Sequence, residues 1–345
     1  MKKLYQNILA IIPGLALAFL IAAAAKFIEG LLPIHLIGAS VIALFIGMLI
    51  NYFWHPAILE SGLLFTSKRL LKLAIILLGA SLSIGTILQV GKLSLTVMIF
   101  TLITCFGGGY FVGKALGLNW KLSNLISAGT GICGGSAIAA IAPAIDAEDS
   151  DIAYAMSATF LFDMAMILLF PALGRMMNLS DMAYGLWTGT AINDTSSVVA
   201  AGFAYSEMAG DFATMVKLTR TLSIIPTVLV FSFINIHLKQ KKALATGSHM
   251  EGQKKLNFVS LFPLFILGFV ALAIINSFGV IPTWVSNSSK QVSKFLMVVA
   301  LAAIGLNTSF KDIKKSGVRP MIHGFIISLL VVVVAIFVEF CMGLV

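Results

Sequence analysis

The 345 residues are 59% hydrophobic and 11% charged, against about 25% charged in soluble domains, so no single water-soluble core could absorb them. The formal net charge of +9 is scattered in short clusters between apolar runs rather than gathered in a basic domain. That excludes nucleic acid as a partner and fits topogenic loop charge.

In chain order, apolar windows long enough to cross a hydrocarbon layer of about 30 Å predict about eleven spans. They fall near 8–28, 34–54, 70–90, 93–113, 123–143, 152–174, 182–204, 213–236, 257–277, 291–310 and 321–343. Lys2 and Lys3 before the first window imitate a secretory signal. Its apolar run exceeds the roughly 7 to 15 residues of a signal core, so a retained span is expected. With the N-terminus inside, most basic residues fall on the cytoplasmic side. They are Lys68, Arg69 and Lys72; Lys114 and Lys121; Arg175; Lys239, Lys241, Lys242, Lys254 and Lys255 in a cytoplasmic loop at 237–256; and Lys311, Lys314, Lys315 and Arg319. The outside then carries Lys26, Lys92, Lys290 and Lys294 with two acidic stretches, Asp146 to Asp151 and Glu207 with Asp211. Eleven spans leave the C-terminus outside, whereas ten would put a basic cluster on the wrong side.

Span 5 contains Gly129-Thr130-Gly131-Ile132-Cys133-Gly134-Gly135-Ser136. Glycine costs about 1 kcal/mol per residue in a helix interior, so a break is expected here. Broken backbone survives in a membrane only where it is packed in protein or lines a cavity. Span 7 carries a related string, Gly189-Thr190-Ala191-Ile192-Asn193-Asp194-Thr195-Ser196-Ser197, a second candidate break. Gly129 pairs with Gly189, Thr130 with Thr190 and Ser136 with Ser196. Both spans run inside to outside in the eleven-span topology, so this pair by itself is not an inverted repeat. A second echo joins Leu78-Gly79-Ala80-Ser81 to Ile304-Gly305-Leu306-Asn307 at a different offset, and those two spans do run in opposite senses. The expected fold class is therefore all-α: a single polytopic membrane domain with an extra helix at 8–28 and two inverted five-helix repeats, 34–174 and 182–343.

An ionised carboxylate at the bilayer centre costs at least about 2.5 kcal/mol on insertion scales, so Asp163 and Asp194, both mid-span, are candidates for coupling an ion. A plain helix-to-helix hydrogen bond is the competing reading for Asp163. Lys217 and Arg220 share a helix face near the expected outer end of span 8. There they could snorkel to the interface or, pointed inward, hold an anion. Cys105, Cys133 and Cys341 lie in apolar stretches without metal or redox spacing and read as buried hydrophobes. No phosphate-binding glycine loop, nucleophile elbow or His cluster appears, so neither an enzyme nor a metal or cofactor is expected.

The strings at 129–140 and 189–202, with Lys217-Leu218-Thr219-Arg220 and the 294–309 stretch, resemble a family of bacterial membrane proteins to which sulfate export has been ascribed and which is otherwise uncharacterised. That family is grouped with cation/proton antiporters and anion transporters built on inverted five-helix repeats with broken, crossing helices. Where its pattern has a His and a Gln, this chain has Asn193 and Ser197. The resemblance implies a secondary transporter of the bacterial cytoplasmic membrane. A small anion (sulfate, sulfonate or carboxylate) would bind at Gly129, Thr130, Gly131, Gly134, Gly135, Ser136, Thr190, Asn193, Thr195, Ser196, Lys217 and Arg220, with H⁺ or Na⁺ coupled at Asp194 and Asp163. Self-association into a homodimer is compatible with that reading. The main rival is a sodium/proton antiporter using Asn193 and Asp194. A remote one, an intramembrane aspartyl enzyme using Asp163 and Asp194, lacks the Gly-x-Gly-Asp signature.

Overall fold

The computed structural model describes residues 2–31, 39–54, 56–246, 264–308 and 317–345. Every regular element among them is helical. Six helical stretches are long and apolar enough to cross a membrane, and three shorter ones are apolar.

The N-terminal helix α1 is Lys2–Leu31 and α2 is Ala39–Phe53. Next comes one nearly continuous rod: α3 (Glu60–Phe65), a π-turn at Thr66–Leu70, and α4 (Leu71–Gly79). It ends earlier than the 70–90 window expects. Ser83 caps the following helix by accepting the Thr86 N–H at 3.1 Å. That helix, α5 (Ile84–Ile103), continues through a π-turn into α6 (Gly109–Ala115). A side-chain cap outweighs Gly91, whose cost inside a helix is only about 1 kcal/mol.

Span 5 is α7 (Trp120–Ala128), a π-turn at Gly129–Cys133, and α8 (Gly135–Ile141). The long α9 is Asp149–Met176. Span 7 is α10 (Asp181–Ala191) and α11 (Thr195–Tyr205). Then follow α12 (Glu207–Thr221) and α13 (Ile224–Thr246). Helix α13 therefore makes the first half of the expected 237–256 loop helical; the rest of that loop lies outside the described residues. The chain closes with α14 (Leu264–Ser277), α15 (Thr283–Asn307) and α16 (Val318–Cys341).

Neither span 5 nor span 7 runs from one end of the molecule to the other, which corrects the eleven-crossing expectation. Lys121 Nζ donates to the Asp146 carbonyl at 2.6 Å, and Asn119 Nδ2 donates to Asp151 at 3.0 Å. The 21 helical residues of α7, the π-turn and α8, at about 1.5 Å each, would separate those ends widely if the segment ran straight. It doubles back instead, as a hairpin whose turn is Gly134. The acidic stretch at 146–151 thus sits beside Lys121, not across the molecule from it. Span 7 does the same. Tyr184 stacks on Tyr205 with ring centroids 3.9 Å apart, and Ser206 Oγ donates to Asp181 at 2.5 Å.

The hairpins open at opposite ends of α9. The first has its base beside Asp151 at the start of that helix. The second has its base beside the end, where Arg175 donates to the Ala204 carbonyl at 3.1 Å.

Helices α1 to α4, α14 and α15 pack mainly on one another as a panel, and α5 to α13 with α16 form a bundle beside it. Gly47 and Gly305 let α2 and α15 touch backbone to backbone. A Cβ on Gly305 would lie 3.0 Å from Met48 N, and one on Gly47 2.9 Å from Leu306 N. An apolar seam of Val41, Leu44 and Met48 against Ile167, Ala200 and Ala204 joins panel to bundle. Cys105 and Cys133 are buried as expected, but Cys341 is exposed at the end of α16.

Candidate functional site

The two hairpin turns meet at the middle of α9. In the first, Gly134 has φ 65° and ψ −134°, a conformation closed to L side chains. Gly129 lets the arm settle against Ile138 and Thr159, where a Cβ would meet carbons at 2.9 Å and 2.7 Å. In the second, Ile192 and Asp194 are extended, and Asp194 caps α11 by accepting the Ser196 N–H at 2.8 Å and the Ser196 hydroxyl. The turns touch: a Cβ on Gly134 would lie 3.0 Å from both Cβ and Oδ1 of Asp194. A Gly134→Ala substitution combines a forbidden backbone with that clash. A loss of about 1–3 kcal/mol is expected, read as a lower melting temperature of the purified protein.

Charged groups secure these turns according to the helix dipole. Asp163 accepts the Asn193 N–H at 2.9 Å with one oxygen and the Asp194 N–H at 3.1 Å with the other. Asn193 Nδ2 adds a 3.3 Å bond to the Thr159 carbonyl. On the opposite side, Arg220 reaches both hairpins at once. Its Nε donates to the Gly131 carbonyl at 2.6 Å, Nη2 to Thr130 at 2.8 Å and Nη1 to Ile192 at 3.3 Å. Lys217 Nζ donates to the same Ile192 carbonyl at 2.8 Å. These carbonyls end the first arm of each hairpin, where helix geometry leaves them without an intrahelical donor.

A cavity of about 400 Å³ opens against the turns. The turns contribute Gly134, Gly135, Asp194 and Ser196; α9 contributes Ser157, Thr159, Phe160 and Asp163; the panel contributes Ser67, Lys68, Asn307 and Thr308. Five of the residues expected from the sequence, Gly134, Gly135, Ser196, Asp163 and Asp194, therefore line one cavity. Gly129, Thr130, Gly131, Thr190, Asn193, Lys217 and Arg220 are buried behind it, and Ser136 and Thr195 are not among its lining side chains. Lys217 and Arg220 lie deep in the bundle rather than near an end, because α12 begins at Glu207 and carries them inward. The hydrogen bonds they donate go to backbone carbonyls of the two turns, and neither side chain lines the cavity. The panel residues escaped the sequence reading because Lys68 passes for a loop charge and Asn307-Thr308 for the tail of a span. Among the described residues no group of three His, Cys, Asp or Glu could hold a metal ion.

Long apolar helices around a buried polar centre define an integral membrane protein of several spans. The chain belongs to the family described as Conserved hypothetical protein 698, which matches residues 13–324. It is 56% identical over 334 residues to a UPF0324 membrane protein of Clostridium tetani, covering 96% of this chain and 97% of the relative. Similar proteins of the same description occur in Streptococcus mutans, 39% identical over 340 residues, and Streptococcus pneumoniae, 37% identical over 344, each covering 96% of this chain and 97% of the relative.

Proposed function

We propose that the protein is a secondary transporter that carries a small anion through the cytoplasmic membrane, coupled to H⁺ or Na⁺. One observation carries this reading: two hairpins enter from opposite ends and meet at a polar cavity halfway along α9. Such a site can be reached from either side by a modest movement of bundle against panel, which is what alternating access requires.

The element order supports it. The offset that pairs Gly79 with Gly305 also carries Ala39–Phe53 onto Leu264–Ser277 and Ala115 onto Cys341, within a few residues. The offset that pairs Gly129 with Gly189 carries the first hairpin onto the second and α9 onto α12 and α13. We infer two inverted five-element halves at the boundaries 34–174 and 182–343, the second in circularly permuted order. That permutation accounts for both offsets at once. Nine crossings and two re-entrant hairpins replace eleven crossings, and the N-terminus stays inside and the C-terminus outside. The resemblance to sulfate exporters favours an anion. The rival, sodium/proton exchange, draws on Asp163 and Asp194 in the cavity wall.

Flux in proteoliposomes tests the reading. Anion uptake driven by an H⁺ or Na⁺ gradient, with coupling lost in Asp194→Asn, is expected. Dye-reported proton movement on adding Na⁺ or Li⁺ without any anion would favour the rival, and no gradient-driven flux at all would reject both. At the end where the second hairpin opens, Lys290 pairs with Asp211 at 2.5 Å and Lys294 with Glu207 at 2.7 Å, tying α15 to α12. Removing both lysines weakens that closure by about 1 kcal/mol. Faster labelling of a cysteine placed at Phe203, by roughly fivefold, is the expected result.

A further inference from the structure

We propose that Lys68, on the panel, is the residue that binds the negative charge of the transported anion. The inference rests on the transporter reading and names the charge partner within its site. Lys217 and Arg220, the cations nearest the hairpin turns, are fully buried and donate to the carbonyls of residues 130, 131 and 192. Neither contributes to the cavity wall. Lys68 is the basic side chain that does. It is exposed and lines the same cavity as Asp163 and Asp194.

The local backbone explains how it gets there. Residues Thr66–Leu70 form a π-turn inside an otherwise regular rod, and Thr66 Oγ1 donates to the Gly62 carbonyl at 2.7 Å. Such insertions widen one turn of a helix, re-aim its side chains, and recur at functional sites. The neighbouring Arg69 is exposed but does not line the cavity, so the turn separates the two cations.

The chemistry follows from the charges. Asp163 is engaged by two backbone N–H groups and Asp194 by Ser196, so each carboxylate has a structural partner, whereas the Lys68 ammonium has no hydrogen-bond or ion-pair partner among the described residues. A small anion entering the cavity would sit between that ammonium on the panel and the Ser157 hydroxyl on α9, bridging panel and bundle, since the Ser196 and Thr308 hydroxyls already donate to Asp194 and the Ile304 carbonyl. Binding would therefore couple to the relative position of the two bodies. A cation substrate would meet Lys68 as a repulsive charge.

The test is flux and anion-induced thermal stabilisation with sulfate, methanesulfonate and acetate as probes, using wild type, Lys68→Gln, Lys68→Arg and Arg69→Gln. The expected result is a KM for the transported anion raised tenfold or more in Lys68→Gln, with maximal rate nearly retained. Lys68→Arg should stay within about threefold of wild type, and Arg69→Gln should match it. The anion-induced melting shift should vanish in Lys68→Gln while the melting temperature without anion is unchanged. Wild-type KM in Lys68→Gln, with anion flux intact, overturns the assignment but leaves the transporter reading standing. A wild type that moves none of the probes yet exchanges Na⁺ for protons overturns both the anion reading and the role of Lys68.

Discussion

Replacing Arg220 with alanine releases both hairpins at once, and a loss of about 2–6 kcal/mol is expected, about 1–3 for each of the two buried carbonyls left without a donor. The side chain is 1% exposed and donates to three carbonyls that belong to two separate hairpins. Without it, the carbonyls of Thr130 and Gly131 lose their side-chain donor, and the adjoining Lys217 still serves Ile192 alone. Arg220→Lys should rescue little, because one ammonium cannot span the positions that a planar fork covers. A sharp fall in melting temperature for Arg220→Ala, with Arg220→Lys close to it, is the signature. A stable Arg220→Ala protein would mean that the turns hold themselves together by packing.

Asp163→Asn is the second large effect, and it should act on function more than on folding. Its two oxygens receive the N–H groups of Asn193 and Asp194, and hydrogen bonds to a charged acceptor contribute about 1.5–3 kcal/mol each. Asparagine keeps one acceptor and turns an NH₂ toward the other N–H, donor against donor. The loss of about 2 kcal/mol from the positioning of Asp194 corresponds to a roughly thirtyfold fall in flux. Hydrogen exchange should rise at residues 193–196 while remaining near wild type at the base of the hairpin, where the Tyr184 and Tyr205 rings stack. Unchanged flux in Asp163→Asn would show that this carboxylate serves only as a cap.

The positions of most apolar segments, the breaks at 129–136 and 189–197 and the mid-span carboxylates were legible from residue type. Transfer free energy and glycine's helix cost act locally and leave a local mark. Cap-driven boundaries were harder: one helix ends at Gly79 and Ser83 starts another inside a single apolar window, because one side-chain hydrogen bond outweighs the hydropathy average. The placing of Lys217 and Arg220 near an outer end failed because it counted span 8 from hydropathy, whereas α12 begins at Glu207 beside the base of the second hairpin.

The sequence by itself determined that this is a helical membrane protein, where its helices break, and that Asp163 and Asp194 lie mid-span. Only the tertiary structure decided that the broken segments turn back instead of crossing. It also decided that Lys217 and Arg220 hydrogen-bond to backbone carbonyls of the turns, and that Lys68 lines the cavity. A glycine break in an apolar run reads the same whether the chain continues or reverses. The reversal is chosen by contacts between its two arms and with α9, such as Lys121 with Asp146 and Gly129 with Thr159, whose partners lie far apart along the chain.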